Sequence, residues 1–220
     1  MSADQIIIRD EVSEDVSAIH ELTKIAFAPM PFSAGDEQHL IDALRADGEL
    51  PVSLVAELKG EIVGHIAFSR VWLNGNPGDW FDLGPVSVKP DLQSRGIGSQ
   101  LINHGLEQIK QLGAEGCVLI GYPSYYGRFG FRHDPDLTFN GKVNANFQHI
   151  TFVGETPKAK VTFRACLSQS HATSSLRKSP RQGKHKNESN FSLLPKRYFH
   201  RQSLQPLVLT SKETSTRPRV

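Results

Sequence analysis

Hydrophobic positions along the first 163 residues switch repeatedly between the spacing of a helix and that of a strand. Apolar residues three or four positions apart predict helices over 13–25, 36–46 and 98–112, and a short helix is predicted at 124–129. Ser13 is the predicted N-cap of the first helix, because its hydroxyl can accept a hydrogen bond from the backbone of the first turn. The segment 27–35 between the first two helices contains two prolines and is predicted to be a loop.

Alternating or continuous apolar runs predict strands between and after the helices. Residues 52–58 and 61–73 are separated by the two-residue turn Lys59-Gly60, so they are predicted to form a hairpin. The run 116–120 is wholly apolar, which is typical of a strand in a sheet that is covered on both faces. The other predicted strands are 5–9 and 80–88, with 146–153 and 160–163 as the best candidates for the last two.

The strand at 80–88 continues through a glycine-containing loop into the helix at 98–112. Such a turn points several unpaired backbone N–H groups at one spot, and the helix dipole adds partial positive charge there. The sequence therefore predicts a seat for a phosphate. The spacing matches neither the dinucleotide pattern G-x-G-x-x-G nor the P-loop, which requires Gly-Lys-Ser/Thr.

Two ordered motifs carry a resemblance to GNAT-superfamily N-acetyltransferases. Gln93-x-x-Gly96-x-Gly98 follows a strand that ends in Val-x-Val-x-Pro and resembles the acetyl-CoA loop of that superfamily. The segment Tyr125 to Phe131 is similar to the aromatic-Tyr-x-x-x-Gly-Phe signature near the end of the same fold. The resemblance is closest to a bacterial subgroup whose substrates are mostly unassigned. It implies an α/β fold with a mixed central sheet flanked by helices, and acetyl-CoA as cosubstrate with no metal.

The resemblance also implies a bulge and a splay between the fourth and fifth strands, and Pro85 lies where they are expected. Proline cannot donate to a strand ladder, so in a central strand it belongs at a bulge or where the neighbour has moved away. The pantetheine arm of acetyl-CoA is then expected to enter the gap and pair with the fourth strand as an added strand would. The residues implied to bind acetyl-CoA are Val86, Ser87, Val88, Gln93, Ser94, Arg95, Gly96, Ile97, Gly98 and Ser99.

Acetyl transfer to an amine requires groups that move protons. An alkylammonium has a pKa of about 10.4, so it must lose a proton before it can attack, and the leaving thiolate gains one. By its position, the Val86 N–H is the expected donor to the thioester carbonyl. Tyr126 matches the tyrosine that acts as general acid in many relatives, and its phenol stays protonated at neutral pH. The adjacent Tyr125 is expected to be a core residue.

The general base is left open by the sequence. Many relatives place an acidic residue on the fourth strand just before the valines, whereas this chain has Gly84 and Pro85 there. Asp82 is the nearest acid, and Glu57 or His65 on neighbouring strands could act through water. The remaining histidines considered, His39 and His133, are expected to be surface residues.

The expected function is transfer of an acetyl group from acetyl-CoA to a primary amine by direct attack in a ternary complex, without a covalent enzyme intermediate. A small-molecule amine is the first choice of acceptor. A protein amine and a non-catalytic acyl-CoA-binding sensor are the alternatives. Residues 27–36 and the strands after Phe131 are expected to select the acceptor. The oligomeric state is left open, a homodimer included.

Composition agrees with a globular domain. The chain has 220 residues, of which 38% are hydrophobic and 22% charged, so it can bury a full core. No apolar run approaches the roughly 18 residues of a membrane span, and residues 1–5 lack the basic-then-apolar pattern of a signal peptide. The expected location is the cytoplasm, with no membrane partner. Cys117 and Cys166 are too few for a disulfide framework or a zinc site.

Charge divides the chain after Phe163. Residues 164–220 hold 12 of the 25 Lys and Arg but two of the 23 acids, for a net charge of +10, which leaves −8 on residues 1–163. The acidic balance of residues 1–163 favours cationic acceptors through steering. The sequence therefore predicts an acetyltransferase domain over 1–163 and a basic, disordered tail over 164–220.

The tail contains no nucleic-acid-binding motif, although its charge leaves binding to nucleic acid or an anionic surface open. Its abrupt change in texture is also consistent with a frame change or foreign sequence in the coding region.

Overall fold

A computed structural model of the chain describes residues 5–31, 33 and 35–163. The predicted tail lies outside the described residues. The described residues form four helices, which are α1 (Val16–Phe27), α2 (Glu37–Ala46), α3 (Ile97–Gln111) and α4 (Pro123–Tyr126). Single 3-10 turns lie at Ser13–Asp15, Pro90–Leu92 and Gly127–Phe129. Among the described residues, no helix combines the length and apolar character that a membrane span requires.

Eight strands form one mixed sheet. They are β1 (Ile7–Asp10), β2 (Val52–Leu58), β3 (Glu61–Leu73), β4 (Asn76–Val88), β5 (Gly116–Ile120), β6 (Leu137–Phe139), β7 (Phe147–Thr151) and β8 (Ala159–Phe163). The order is β1-β2-β3-β4-β5-β7, and β8 joins the far end of β3 to β6. The pairs β4–β5 and β6–β8 are parallel and the others are antiparallel. The predicted mixed α/β fold is confirmed, while β6 is a strand that the sequence analysis did not predict.

The β2–β3 hairpin has the predicted bounds. Its two turn residues, Lys59 and Gly60, both have positive φ, at 54° and 82°. Positive φ at both central residues is the geometry of the tight turn whose twist matches that of the flanking strands. The turn fixes the register from Leu58 opposite Glu61 up to the irregularity at Ala56/Glu57.

The start of the first helix differs from the prediction. Ser13 is not the N-cap; its hydroxyl donates to Glu14 instead. The carboxylate of Asp15 accepts the Val12 N–H at 2.9 Å and binds Arg9 of β1 at 2.6 Å. An acid one turn later therefore satisfies the free backbone donor and ties the helix start to the sheet.

Helices cover both faces of the sheet. Helix α3 packs on β2, β3 and β4, where Leu101, Ile102 and Ile109 are buried. Helices α1 and α2 cover the opposite face, where Ile19, Ile41 and Val55 form a smaller cluster. The α3 face is tightly packed, because a Cβ added at Gly105 would lie 2.1 Å from a ring carbon of Phe68.

Candidate active site

Strands β4 and β5 pair over only three residues before they part. Trp80, Phe81 and Asp82 of β4 lie opposite Gly116, Cys117 and Val118 of β5, and no pair follows Asp82. The register of β3 with β4 shifts over the next segment, so that Ile66 opposes Val86 and Phe68 opposes Leu83. Gly84 and the cis-linked Pro85 occupy this bulge. The predicted bulge and splay are therefore confirmed.

The backbone of β4 beyond the bulge presents hydrogen-bonding groups to the gap. The Lys89 N–H donates to the Val63 carbonyl of β3 at 2.9 Å, and Ser87 lies opposite His65. In an antiparallel ladder, successive residues direct their N–H and C=O groups to opposite sides. Val86 and Val88 consequently direct theirs away from β3, toward the space that β5 has left. An extended chain placed there can pair with β4.

Ser87 stands apart from the other residues that were predicted to bind the cosubstrate. Its backbone faces β3, and its fully buried hydroxyl donates to the hydroxyl of Thr23 on α1 at 3.1 Å. Strand alternation turns Ser87 away from the gap that Val86 and Val88 face. The predicted contact of Ser87 with the cosubstrate is not supported, and Ser87 helps instead to join α1 to the sheet.

The loop after β4 forms an open cradle at the start of α3. Gly96 is the N-cap, with φ of 84°, and a Cβ built on it would have no atom within 4 Å. Its carbonyl accepts the first helical hydrogen bond, from Gln100 at 3.0 Å. The N–H groups of Ile97, Gly98 and Ser99 precede that bond and have no partner among the described residues. They point out at the helix N-terminus, where an anion is stabilised.

Three polar residues complete the loop. The Gln93 amide donates to the Val88 carbonyl at 3.1 Å, which holds the loop against the end of β4. Ser94 has a positive φ of 61° and turns the chain toward Gly96. Arg95 is exposed and makes no ion pair with any described residue, so its guanidinium is available to a phosphate.

Tyr125 lies beside the glycine loop. Its ring packs against the main core cluster and is half-buried, as expected of a core residue, but its hydroxyl reaches the loop. A Cβ added at Gly98 would lie 3.2 Å from that oxygen. The guanidinium of Arg128 stacks over the same ring at 4.7 Å. The hydroxyl of Tyr125 is therefore a candidate site group that the sequence analysis missed.

Tyr126 packs more deeply than Tyr125. A Cβ at Gly121 would lie 2.2 Å from a carbon of its ring, and the ring of Phe131 is 6.1 Å away edge-on. Burial raises the pKa of Tyr126 above its ordinary value, and the nearby Tyr125 and Asp82 raise it further. The phenol is therefore protonated at neutral pH, which suits a proton donor.

Asp82 lies at the point where the two strands part. It is half-buried, and it makes no hydrogen bond or ion pair through its carboxylate with any described residue. Burial raises the pKa of Asp82 well above its ordinary value. Its charge also contributes to raising the pKa of Cys117 and of Tyr126, so it lies near both side chains. A carboxyl group with a raised pKa is a stronger base than an ordinary carboxylate.

The other two candidate bases are engaged elsewhere. Glu57 accepts a hydrogen bond from Arg9 at 3.0 Å, on the β1 side of the sheet. His65 is fully buried beneath α1 and α2, and its Nε2 lies 2.8 Å from the Ser53 hydroxyl. Burial lowers the pKa of His65. The strand that carries Asp82 is thus the one that brings an acid to the gap.

His65 belongs to a hydrogen-bonded network whose role is to hold the fold together. The Glu11 carboxylate binds Arg45 at 2.7 and 3.0 Å and also contacts the Ser53 hydroxyl. Burial acts to raise the pKa of Glu11, but the hydrogen bonds from Arg45, His65 and Ser53 outweigh it and hold that pKa well below its usual range. This network joins β1, β2 and β3 to α2.

The comparisons with known proteins agree with this geometry. The model of the acetyltransferase (GNAT) family matches residues 17–131. The uncharacterized N-acetyltransferase YhbS of Escherichia coli strain K12 is 32% identical over 145 residues, which are 64% of this chain and 84% of that protein.

Two solved structures are similar in fold as well as in sequence. A GNAT family acetyltransferase from Brucella melitensis, in complex with acetyl-CoA, is 42% identical with a TM-score of 0.66, and the match covers 74% of this chain and 97% of that one. YhbS from Escherichia coli, in complex with CoA, is 28% identical with a TM-score of 0.66, and the match covers 74% of this chain and 92% of that one.

Proposed function

The chain belongs to the GNAT family of acetyltransferases, and we propose that it transfers an acetyl group from acetyl-CoA to a primary amine by direct attack in a ternary complex. The observation that carries this proposal is the parting of β4 and β5 beside an open glycine cradle. The gap offers strand pairing to an extended ligand, and the cradle offers N–H groups to a phosphate. Acetyl-CoA has an extended amide-containing arm joined to a pyrophosphate, so the residues present fit it.

The binding residues act through their backbones. Val86 and Val88 pair with the amides of the pantetheine arm, and the loop supplies donors for the pyrophosphate. Gly96 and Gly98 leave room for the phosphate oxygens to approach the backbone closely. Gln93 holds the loop to the strand and Arg95 adds positive charge. The N–H donors to the pyrophosphate come from Ser94, Arg95, Gly96, Ile97, Gly98 and Ser99.

The chemical step begins with removal of a proton from the acceptor. An alkylammonium with a pKa of about 10.4 is protonated at neutral pH and has no lone pair for attack. Asp82 accepts this proton, directly or through one water, because its raised pKa brings its basicity closer to that of the amine. The carboxyl group is then neutral, which its buried position favours.

Acetyl-CoA supplies a thioester whose carbonyl carbon is the electrophile. The Val86 N–H donates to the thioester oxygen, where negative charge develops during attack. A C–N bond forms and the C–S bond breaks, and the Tyr126 phenol gives its proton to the departing sulfur. The nitrogen becomes positively charged when the C–N bond forms, and it loses its second proton through water to the Tyr126 phenolate. Asp82 then returns the first proton to solvent before the next turnover. The residues in catalytic roles are therefore Val86, Tyr126 and Asp82.

We propose a small-molecule amine as the acceptor. The net charge of −8 on residues 1–163 supports a cationic acceptor, because a negative surface potential concentrates cations near it. The residues between α1 and α2 are proposed to select the acceptor, because α1 packs on β4, the strand that borders the gap.

The test is calorimetric titration of acetyl-CoA into the full chain, followed by a panel of amines with thiol release as the readout. The panel contains polyamines, amino acids, aminoglycosides and peptides with free amino termini. Binding with thiol release for a small amine supports the proposal. Release with peptides alone points to a protein acceptor, and binding without release points to a sensor. A folded chain that does not bind acetyl-CoA overturns the proposal.

A further inference from the structure

Three potential metal ligands meet on the surface between α1 and α2. His20 lies on α1, while His39 and Asp42 lie one helical turn apart on α2. One donor atom from each of the three lies within 4.8 Å of the other two. These residues are on the sheet face opposite α3, away from the glycine cradle. His39 was predicted to be a surface residue, and its side chain is exposed.

The geometry of the three side chains is close to that of a coordination site. His20 Nδ1 lies 2.7 Å from Asp42 Oδ2, and the rings of His20 and His39 have centroids 5.2 Å apart at 69°. Ligands of a tetrahedral zinc ion, each about 2.0–2.2 Å from the metal, are about 3.3 Å from one another. The exposed His39 side chain can close the difference by rotation about its own bonds.

The surroundings of Asp42 favour its role as a ligand. Its second oxygen accepts a hydrogen bond from Arg45 at 3.1 Å, which fixes the orientation of the carboxylate. At metal sites, residues that hydrogen-bond to the ligands orient them in the same way. Glu11 binds the same guanidinium at 2.7 and 3.0 Å, so the positive charge of Arg45 is already compensated. A shallow pocket bordered by Ser13, Glu14 and Ser17 also reaches His20 and Asp42 and gives solvent a path to the site.

We propose that His20, His39 and Asp42 bind one Zn²⁺ ion that links α1 to α2. Two imidazoles and one carboxylate suit zinc and similar transition metals, whereas magnesium and calcium prefer oxygen ligands alone. The ion replaces the direct contact between His20 and Asp42 and leaves a fourth position for water. Because its ligands come from both helices, the ion stabilises the packing of α1 against α2. This site is separate from the acetyl-transfer chemistry, for which the sequence predicts no metal.

The test uses the full chain freed of metal with a chelator, together with His39→Gln and the control His104→Gln. His104 is an exposed histidine on α3 whose Nδ1 contacts the Gln100 carbonyl. Comparison of variants is essential because the chain also carries His171, His185 and His200 outside the described residues. Co²⁺ is the spectroscopic probe, and Zn²⁺ is titrated by calorimetry and by thermal unfolding.

We expect wild type and His104→Gln to bind one equivalent of Zn²⁺ that His39→Gln lacks, and to show visible Co²⁺ bands of a nitrogen- and oxygen-ligated site. With free Zn²⁺ a hundredfold above Kd, their Tm should rise by roughly 5–10 °C, and that of His39→Gln should not. Equal Zn²⁺ binding by all three proteins, or none, overturns the proposed site. If His39→Gln loses Zn²⁺ binding but the Tm of wild type does not rise with the metal, the proposal that the ion stabilises the α1–α2 pair is overturned.

Discussion

Asp82 of β4 and Val118 of β5 form the last aligned pair before these two strands part. An ionisable group thus lies at the inner end of the gap, and the open backbone of Val86 and Val88 on the same strand lines one side of it. The position explains why burial raises the pKa of Asp82 while no described side chain neutralises it. Substitution of Asp82 therefore tests the proposed mechanism directly.

Asp82→Asn is expected to lower kcat by about a hundredfold or more, because an amide cannot accept the proton. In wild type, kcat should rise with pH through the raised pKa of Asp82, since the ionised carboxylate is the active form. The residual activity of the variant should not show this rise of kcat with pH. Asp79→Asn is the control, because Asp79 lies on the same strand but is exposed and paired with Arg70. An unchanged pH profile in Asp82→Asn would remove Asp82 from the mechanism.

The same substitution should stabilise the fold. A carboxyl whose pKa is raised in the folded state is ionised more readily when unfolded, so Asp82 costs stability at pH values above its ordinary pKa. Asp82→Asn should therefore raise Tm at pH 7, and the gain should shrink as pH falls toward the ordinary pKa of 3.8. Thermal unfolding at several pH values measures this. A lower Tm at pH 7 would contradict the assignment of burial as the cause.

Tyr126→Phe and Tyr125→Phe are expected to separate catalysis from binding. Loss of the Tyr126 phenol should lower kcat by about a hundredfold or more with little change in the Kd of acetyl-CoA, because the lost group donates a proton. The hydroxyl of Tyr125 lies near Gly98, so its removal should raise that Kd and spare kcat. Steady-state kinetics and calorimetry on both variants provide the measurement. If Tyr125→Phe lowered kcat and Tyr126→Phe raised the Kd of acetyl-CoA, the roles of the two tyrosines would be exchanged.

Gly96→Glu should abolish measurable binding of acetyl-CoA. The new carboxylate would occupy the open cradle and repel the phosphates, and a left-handed residue other than glycine also costs about 1–2 kcal/mol. Gly113→Glu is a matched control, because Gly113 has the same φ of 84° and the same open space at the other end of α3. The control should unfold at a Tm similar to that of Gly96→Glu and should still bind acetyl-CoA. Loss of binding in both variants would show that backbone strain, not the cradle, is responsible.

Gly105→Ala should destabilise the protein even though alanine favours helix by about 1 kcal/mol over glycine. The added Cβ would lie 2.1 Å from a ring carbon of the fully buried Phe68, so the helix must move off the sheet. A loss of about 2 kcal/mol in the free energy of unfolding is expected from such overpacking. His104→Ala, at the exposed neighbouring position, serves as control and should change stability by less than about 0.5 kcal/mol. Denaturant unfolding of both variants is the check, and a stable Gly105→Ala would indicate a looser α3 contact.

Local signals in the sequence accounted for the elements that position the site. The β2–β3 hairpin was predictable because Lys59-Gly60 sets both the turn and the register. The seat at Gly96 was predictable because a strand, a glycine loop and a helix are consecutive in the chain. Such features need no knowledge of distant contacts.

Other features depend on contacts that local patterns do not encode. β6 has three residues and pairs with β8, more than 20 positions later, so it has no clear period of its own. Ser87 was assigned to the cosubstrate with its neighbours, although strand alternation with Lys89 turns it toward β3. The direction of the Tyr125 hydroxyl follows from the packing of α4 against the glycine loop.

The parting of β4 and β5 gives this sheet an additional edge inside the molecule. Unpaired strand edges attract other extended chains, and proteins protect them with proline or by occupying the free groups. Pro85 interrupts the β4 ladder at the bulge, and the Gln93 amide occupies the Val88 carbonyl. The free stretch is thereby too short to recruit a full strand from another protein, yet long enough for a slender ligand that carries a few amides.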